Sequence, residues 1–358
     1  MYIGEAPMKS DYLVISPKVE EAITNKLPVI AIDTACIYLG FTGGGLTLDA
    51  ITKEGLGKIE AEEPDFAEIV EKIEKLIIQN GAVPATTAVI DGKIHVGLSK
   101  EERDYLRVIK KDLKKITRRD LPVALAMGED GATTVSSTMM IAHMAGIQVV
   151  VTVGVGGVSE DHDISHDVSA DLEELINNQI IVVCAGINPG SDPKKSVEYL
   201  ETKGVPVIGF RTDKFFTGWR EEKEHEVPIR LDEPTDIARI HAVKRSLDII
   251  GSMLVINPAS KEILDPGDFD PVKNADRMIE LLSDNATLAA WIAMAISMDL
   301  DPAISNKNSK RAAKKKQEKS MSFEVWLFSI KGFAQNFDVA QLIFNNLPES
   351  EKERLRQE

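Results

Sequence analysis

Between residues 130 and 257 short apolar runs take turns with helical stretches, and this alternation constrains the fold more than any other feature of the chain. IQVVVTVGVGGV (147–158), IIVVCAGINPG (180–190), VPVIGF (205–210) and a run near 252–257 are rich in β-branched residues. They are too short for helices, so each reads as a strand buried on both faces. Helices fall between them: one over 170–178 that Ser169 can cap, one begun by Asp192-Pro193 and closed by Gly204, and one near 235–250. The pattern predicts a three-layer α/β/α fold with a mainly parallel central sheet. Chemistry in such sheets sits just past the carboxyl ends of strands. Past IIVVCAG the chain offers Asn188, a neutral amide that is a poor nucleophile and a poor base.

The N-terminal part carries its own signals. Ser16-Pro17 opens a helix to about Lys26, and VIAID (29–33) is a strand ending on a carboxylate, Asp33. Residues 41–64 are glycine-rich, then acidic, and read as a long loop. Phe66, Ile69, Val70, Ile73, Leu76 and Ile77 form one helical stripe that Asn80-Gly81 ends. TTAVIDGKIHVGL (86–98) is a hairpin around Asp91-Gly92, and Ser99 with Glu102 makes a capping box. GATTVSSTMMIAHMAG (131–146) reads as a helix with a small-residue start. After Pro258 the pattern turns helical. NKNSKRAAKKKQEK (306–319), with seven Lys/Arg against one Glu, reads as a solvated linker, and the aromatic-rich 321–337 as a helix that docks on the core or on a neighbouring subunit. The expected organisation is one domain from 1–298 and 321–350, interrupted by a basic insertion at 299–320.

A formal net charge of −15 over 358 residues argues against wholesale binding to nucleic acid or anionic membrane. An anionic small ligand then needs a local basic pocket. Cys36 and Cys184 lie in apolar runs and read as buried thiols in a reducing compartment. MYIGEAPMKSDYLV has no basic segment followed by an apolar core, and TLAAWIAMAISM (287–298) is too short to span a bilayer, so a cytoplasmic protein is expected.

Four stretches could carry chemistry. KKDLKKITRRD (110–120) holds six cations, either a grip on phosphate or a solvated helix end. Gly131-Ala-Thr-Thr134 offers hydroxyls, free N–H groups and a helix dipole to an anion. Gly154-Val-Gly-Gly157 allows close backbone approach but lacks the GxGxxG spacing of a dinucleotide site. SEDHDISHDVSAD (159–171) places two histidines among five acidic groups and is open to two readings, a divalent-metal site or an acidic surface loop.

Taken together, NGAVPATTAVIDGKIHVGLSKEE (80–102), RRDLP (118–122), GATTVSSTMMIA (131–142), DVSADLEEL (167–175), VVCAG (182–186) and EYLETKGVPVIGF (198–210) resemble the pseudouridine-5′-phosphate glycosidases, a family that includes indigoidine-cluster proteins. The resemblance runs from about Asp11 to Pro258 and returns at QLIFNN (341–346). It implies a single α/β/α domain, a homotrimer, and a divalent metal, usually Mn²⁺. It implies reversible cleavage of the C–C bond between ribose C1′ and uracil through a lysine imine, with an acidic residue moving protons. Lys115 matches the family's substrate-binding lysine, Thr134 and Val135 the helix start near the phosphate, Asp167 the metal ligand, and Ser169, Ala170 and Asp171 a substrate-contact segment.

Other positions depart from the family. Its proton-donor glutamate falls on Asp33, its histidine-glycine-proline loop on YLGFTGGGL (38–46), a histidine on Ser159, a late asparagine on Val339, and its imine-forming lysine on Asn188. Lys194 and Lys195 follow one to two helical turns later. The expectation is therefore a divergent homologue that binds a ribose phosphate or nucleotide-like ligand with Mn²⁺, its C–C lyase activity weak or lost. The alternatives are a metal-dependent glycosidase acting on an N- or O-ribosyl phosphate, and a true pseudouridine-5′-phosphate glycosidase with a relocated lysine.

Overall fold

The computed structural model describes residues 9–38, 66–217, 220–258 and 271–298. The expectations for 41–64, 299–320, 321–337, Val339 and 341–350 lie outside the described residues. Two short strands and a hairpin lead in: β1 (Leu13–Ile15), β2 (Val29–Ile32), β3 (Val83–Ile90) and β4 (Lys93–Val96). β5 (Lys114–Ile116) and β6 (Gly131–Thr133) follow, then β7 (Val149–Val151), β8 (Val158–Ser159), β9 (Ile181–Cys184) and β10 (Ser191–Asp192). The last are β11 (Val207–Phe210), β12 (Lys214–Thr217), β13 (Arg220–Glu226), β14 (Ile229–Leu231) and β15 (Met253–Ile256).

The main sheet runs β1-β4-β3-β2-β7-β9-β15-β11-β14, with β5 and β6 joined beside β3. From β3 to β14 the neighbours are parallel. β2, β7, β9 and β15 are buried along their whole length, which is what their unbroken Val/Ile runs require. One face carries helices Phe66–Gln79, Pro234–Ser246 and Pro271–Ser297; the other carries Pro17–Thr24, Val135–Ala145 and Ala170–Asn177. The fold is the expected three-layer α/β/α arrangement.

Most local readings hold. Asp91 (φ 49) and Gly92 (φ 65) are both left-handed, as a two-residue type I′ turn demands, and the register pairs Ile90 with Lys93. Ser99 Oγ accepts from Glu102 N while Glu102 Oε2 accepts from Ser99 N, the reciprocal capping box. Asp192 caps helix Pro193–Thr202 through the Lys195 N–H.

Three readings need correction. Residues 131–133 are strand, not helix: β6 pairs with β3 on one side and β5 on the other, Thr134 stays extended at ψ 176, and the helix begins at Val135. Pairing on both edges outweighs the local preference of small residues. The basic stretch 110–120 is likewise not a helix end but a short 3₁₀ turn (Lys110–Asp112) and β5. The apolar run at 287–298 belongs to a longer helix whose Asp276–Ser297 portion is long and apolar enough to cross a membrane. Of its most apolar 18-residue window 61% is buried in the protein, where Ala286, Ala289, Ile292 and Ala293 join the core cluster with Ile30, Val149 and Ile181.

Candidate functional site

The chain leaves β2 toward β3 on one side and leaves β7 toward β9 on the other. The carboxyl ends of β2 and β7 therefore form a topological switch point, where open α/β sheets bind ligands. Asp33 follows β2, Thr152 to Gly157 follow β7, and Asn188 follows β9. Asp33 and Asn188 are two strands apart, about 10 Å by strand spacing.

Asp33 is 1% exposed, and its Oδ1 has no hydrogen-bond partner among the described residues. Burial raises its pKa to about 6; the Thr152 hydroxyl and the Cys36 thiol pull it down, and the Asp171 carboxylate pushes it further up. A buried carboxyl tuned to that range suits proton transfer near neutrality.

The floor beneath it is a set of buried threonines. Thr34 Oγ1 donates to the Thr87 carbonyl at 2.8 Å and accepts from the Thr133 N–H at 2.9 Å. Thr87 and Thr133 hydroxyls meet at 2.8 Å, and Thr138 joins at 3.2 Å. The network ties the ends of β2 and β6 and the middle of β3 to helix Val135–Ala145. These residues carry no special pattern in sequence, since threonine in a strand ordinarily reports only β-propensity.

Asp171 joins the start of helix Val135–Ala145 to the glycine turn. Its Oδ1 accepts from Ser136 N at 2.8 Å and its Oδ2 from Gly156 N at 2.9 Å, so one carboxylate clamps the helix start to the glycine turn. Burial raises its pKa while these N–H groups and the Lys115 cation pull it down. Ser169 Oγ accepts from Asp171 N at 3.2 Å as the N-cap of helix Ala170–Asn177. Gly156 is required here, because a Cβ on it would come within 2.1 Å of Ser169 Oγ. With Ser136 N occupied, the N–H groups of Val135 and Ser137 in the first helical turn carry no hydrogen bond among the described residues.

The basic stretch divides its work. Lys114 pairs with Glu129, Arg118 with Glu174 and Arg119 with Asp120. Lys115, exposed on β5 beside Ala132, has no ion pair among the described residues.

Asn188 is half-buried; its N–H donates to the Val155 carbonyl at 2.7 Å. Its Oδ1 would lie 2.6 Å from a Cβ on Gly154, so the amide rests over the glycine turn. Lys195, an alternative amine close by in sequence, is held by Asp163 at 3.0 Å and Asp192 at 3.8 Å. Thr217 pairs beside Ile187, and its hydroxyl is buried without a partner among the described residues; nothing in the sequence pattern signals it.

The acidic loop does not gather metal ligands: among the described residues no group of three or more His, Cys, Asp or Glu comes together. Asp161 is held by Ser159 and Ser165, and Asp163 by Lys195. His162 and His166 meet edge-on at 6.0 Å. Asp167 keeps a carboxylate without hydrogen bonds among the described residues; its main chain accepts from Ser159 N at 3.1 Å. Asp167 would hold a hard divalent cation only with the remaining donors supplied by ligand and water. Such a cation would supply charge neutralisation for a phosphate.

Comparison with known proteins fits this picture. The family described as indigoidine synthase A like protein matches residues 60–272. The pseudouridine-5′-phosphate glycosidase of Escherichia coli is 39% identical over 264 residues, 74% of this chain and 78% of that protein. Its counterpart from Caldanaerobacter subterraneus is 38% identical over 251 residues, 70% and 75% of the two chains. The crystal structure of the prealnumycin C-glycosynthase AlnA in complex with ribulose 5-phosphate superposes with a TM-score of 0.67 at 28% identity, covering 82% of this chain and 99% of that one. An indigoidine synthase A-like protein from Thermotoga maritima shares the fold, with a TM-score of 0.65 at 24% identity over 80% of this chain and 97% of that one. With the switch-point site and these matches in agreement, the chain belongs to the pseudouridine-5′-phosphate glycosidase / indigoidine synthase A-like family.

Proposed function

We propose that this protein is a divergent family member that binds a ribose phosphate or nucleotide-like ligand with Mn²⁺ or another divalent cation, and whose parent C–C cleavage is weak or lost. One observation carries the reading: Asn188, in the turn that follows β9, stands where the family resemblance places the imine-forming lysine. Carbon is a poor leaving group and needs an electron sink; a carboxamide cannot form an imine. Lys195 is a poor substitute while its amine is held by Asp163 and Asp192. The phosphate-facing half is favourable, with Lys115, the Val135 and Ser137 N–H groups and the Thr134 hydroxyl together, and Asp167 free to hold the cation. Ser169 and Ala170 place Asp171, which acts by positioning the anion-facing backbone. The ribulose 5-phosphate bound to AlnA supports the ligand class. A cytoplasmic homotrimer is part of the same proposal.

A second reading rests on Asp33. A buried carboxyl with a pKa near 6 can protonate a leaving group, so a more labile N- or O-ribosyl bond could break through an oxocarbenium ion without a covalent lysine. Water would then add at C1′ and return its proton to the Asp33 carboxylate.

Incubation with Mn²⁺ and pseudouridine 5′-phosphate, uridine 5′-phosphate or ribose 5-phosphate, followed by borohydride, separates these readings. Thermal stabilisation by ribose 5-phosphate without turnover is expected. Turnover of uridine 5′-phosphate alone selects the second reading. Turnover of pseudouridine 5′-phosphate with a reduced adduct on any lysine refutes the first.

A further inference from the structure

A second cavity, of about 530 Å³, opens at the amino ends of β2 and β7, on the side of the sheet away from the site described above. Val29 lines it, and Asp33 lies four residues further along, past the other end of β2 and about 13 Å away. The two sites are therefore back to back and do not share side chains.

The cavity's walls are apolar, from Ile23, Leu27, Ile147 and Ile296, and its ionisable lining groups are Lys26, His241 and Arg245. No carboxylate lines it among the described residues. In a chain of net charge −15 a lining whose charged groups are all cations, Lys26 and Arg245, runs against composition. Lys26 and Arg245 are exposed, and neither forms an ion pair among the described residues. Arg245 donates to Gln148 Oε1, which also lies 3.3 Å from His241 Nε2. Lys244, adjacent in sequence, is 8% exposed and likewise without an ion pair among the described residues, adding positive potential behind the wall.

Helix dipoles account for part of this. Helices Pro17–Thr24, Val135–Ala145, Pro234–Ser246 and Pro271–Ser297 all end on this side, and cations favour helix carboxyl ends. That explains why Lys26 and Arg245 stand there. It does not explain an open cavity between them, apolar on its walls and within the size range of small-molecule sites, about 300–1,000 Å³.

We propose that this cavity is a second ligand site, taking a small organic anion whose phosphate or carboxylate is gripped by Lys26 and Arg245 and whose body lies against Ile147 and Ile296. The Arg245 guanidinium offers the planar fork that both anions match. Burial, with Arg245 and Lys244 beside it, lowers the His241 pKa to about 4, so at neutral pH the imidazole serves as an uncharged hydrogen-bonding group.

The test is calorimetric titration of the full chain with uridine 5′-phosphate and, separately, citrate; the two arms distinguish phosphate from carboxylate recognition. Lys26→Asn removes one charge at a left-handed position (φ 55) that asparagine tolerates, and Arg245→Gln removes the other. Lys115→Gln disables the first site instead. Each of the first two variants is expected to weaken binding of at least one probe by about tenfold or more, the scale of one charge-assisted contact. That binding should survive Lys115→Gln. Absence of binding by either probe to the unaltered chain, or binding abolished by Lys115→Gln and unchanged by both cavity variants, overturns the proposal.

Discussion

Replacing Asp33 with asparagine should make the protein progressively more stable relative to the unaltered chain as pH rises. In the folded state the Asp33 pKa stands near 6, against 3.8 for an ordinary aspartate. Below about pH 3 the carboxyl is protonated in both folded and unfolded chains and contributes no difference. Between about 4 and 6 the unfolded chain has lost the proton that the folded chain keeps, so stability falls as pH rises. Above about 6 both forms are ionised and the folded state carries a buried charge, one of whose oxygens has no partner among the described residues. At 1.36 kcal/mol per pKa unit the full cost is about 3 kcal/mol.

The Asp33→Asn protein would have no such titration. The buried amide carries a packing and hydrogen-bonding cost of its own, but that cost does not vary with pH. The titration of Asp171, whose pKa burial also raises, is common to both proteins and largely cancels. The stability difference, Asp33→Asn minus unaltered, should thus climb by about 3 kcal/mol from pH 3 to pH 7 and then level off. Urea unfolding at half-unit pH steps measures it directly. A difference that stays flat across that window would show that Asp33 titrates normally and would remove the basis for giving it a proton-transfer role.

Asp171→Ala strips the Ser136 and Gly156 N–H groups of their shared acceptor and should cost about 3–5 kcal/mol by urea unfolding, with weaker ribose 5-phosphate binding by calorimetry. Gly156→Ala forces a Cβ into Ser169 Oγ and should both lower the melting temperature and weaken ribose 5-phosphate at least about tenfold; unchanged melting would show that the turn yields. Asn188→Lys should gain a borohydride-trapped ribose 5-phosphate adduct visible by mass spectrometry, whereas the unaltered chain should show none.

What sequence made legible was whatever short-range chemistry decides. The capping box at Ser99, the hairpin turn at Asp91-Gly92 and the caps at Ser169 and Asp192 each lie within a few residues of their partners. What it hid depends on partners distant in the chain. Gly131 to Thr133 form a strand because β3 and β5 flank them, and Asp171 is a clamp because residues 136 and 156 converge on it. The Asp33 and Thr217 oxygens, without partners among the described residues, and the basic cavity behind the sheet belong to the same class. Asn188 falls between the two. Its identity is plain in the sequence, but the consequence lies in the turn it touches. The amide rests where a Cβ on Gly154 would stand, and its backbone is fixed by Val155 on one side and Ser191 on the other. A side chain seated against the glycine turn and anchored through its own backbone is part of the local packing. Restoring a lysine there must displace that amide, so the adduct gained by Asn188→Lys measures how much of the covalent site the turn still permits.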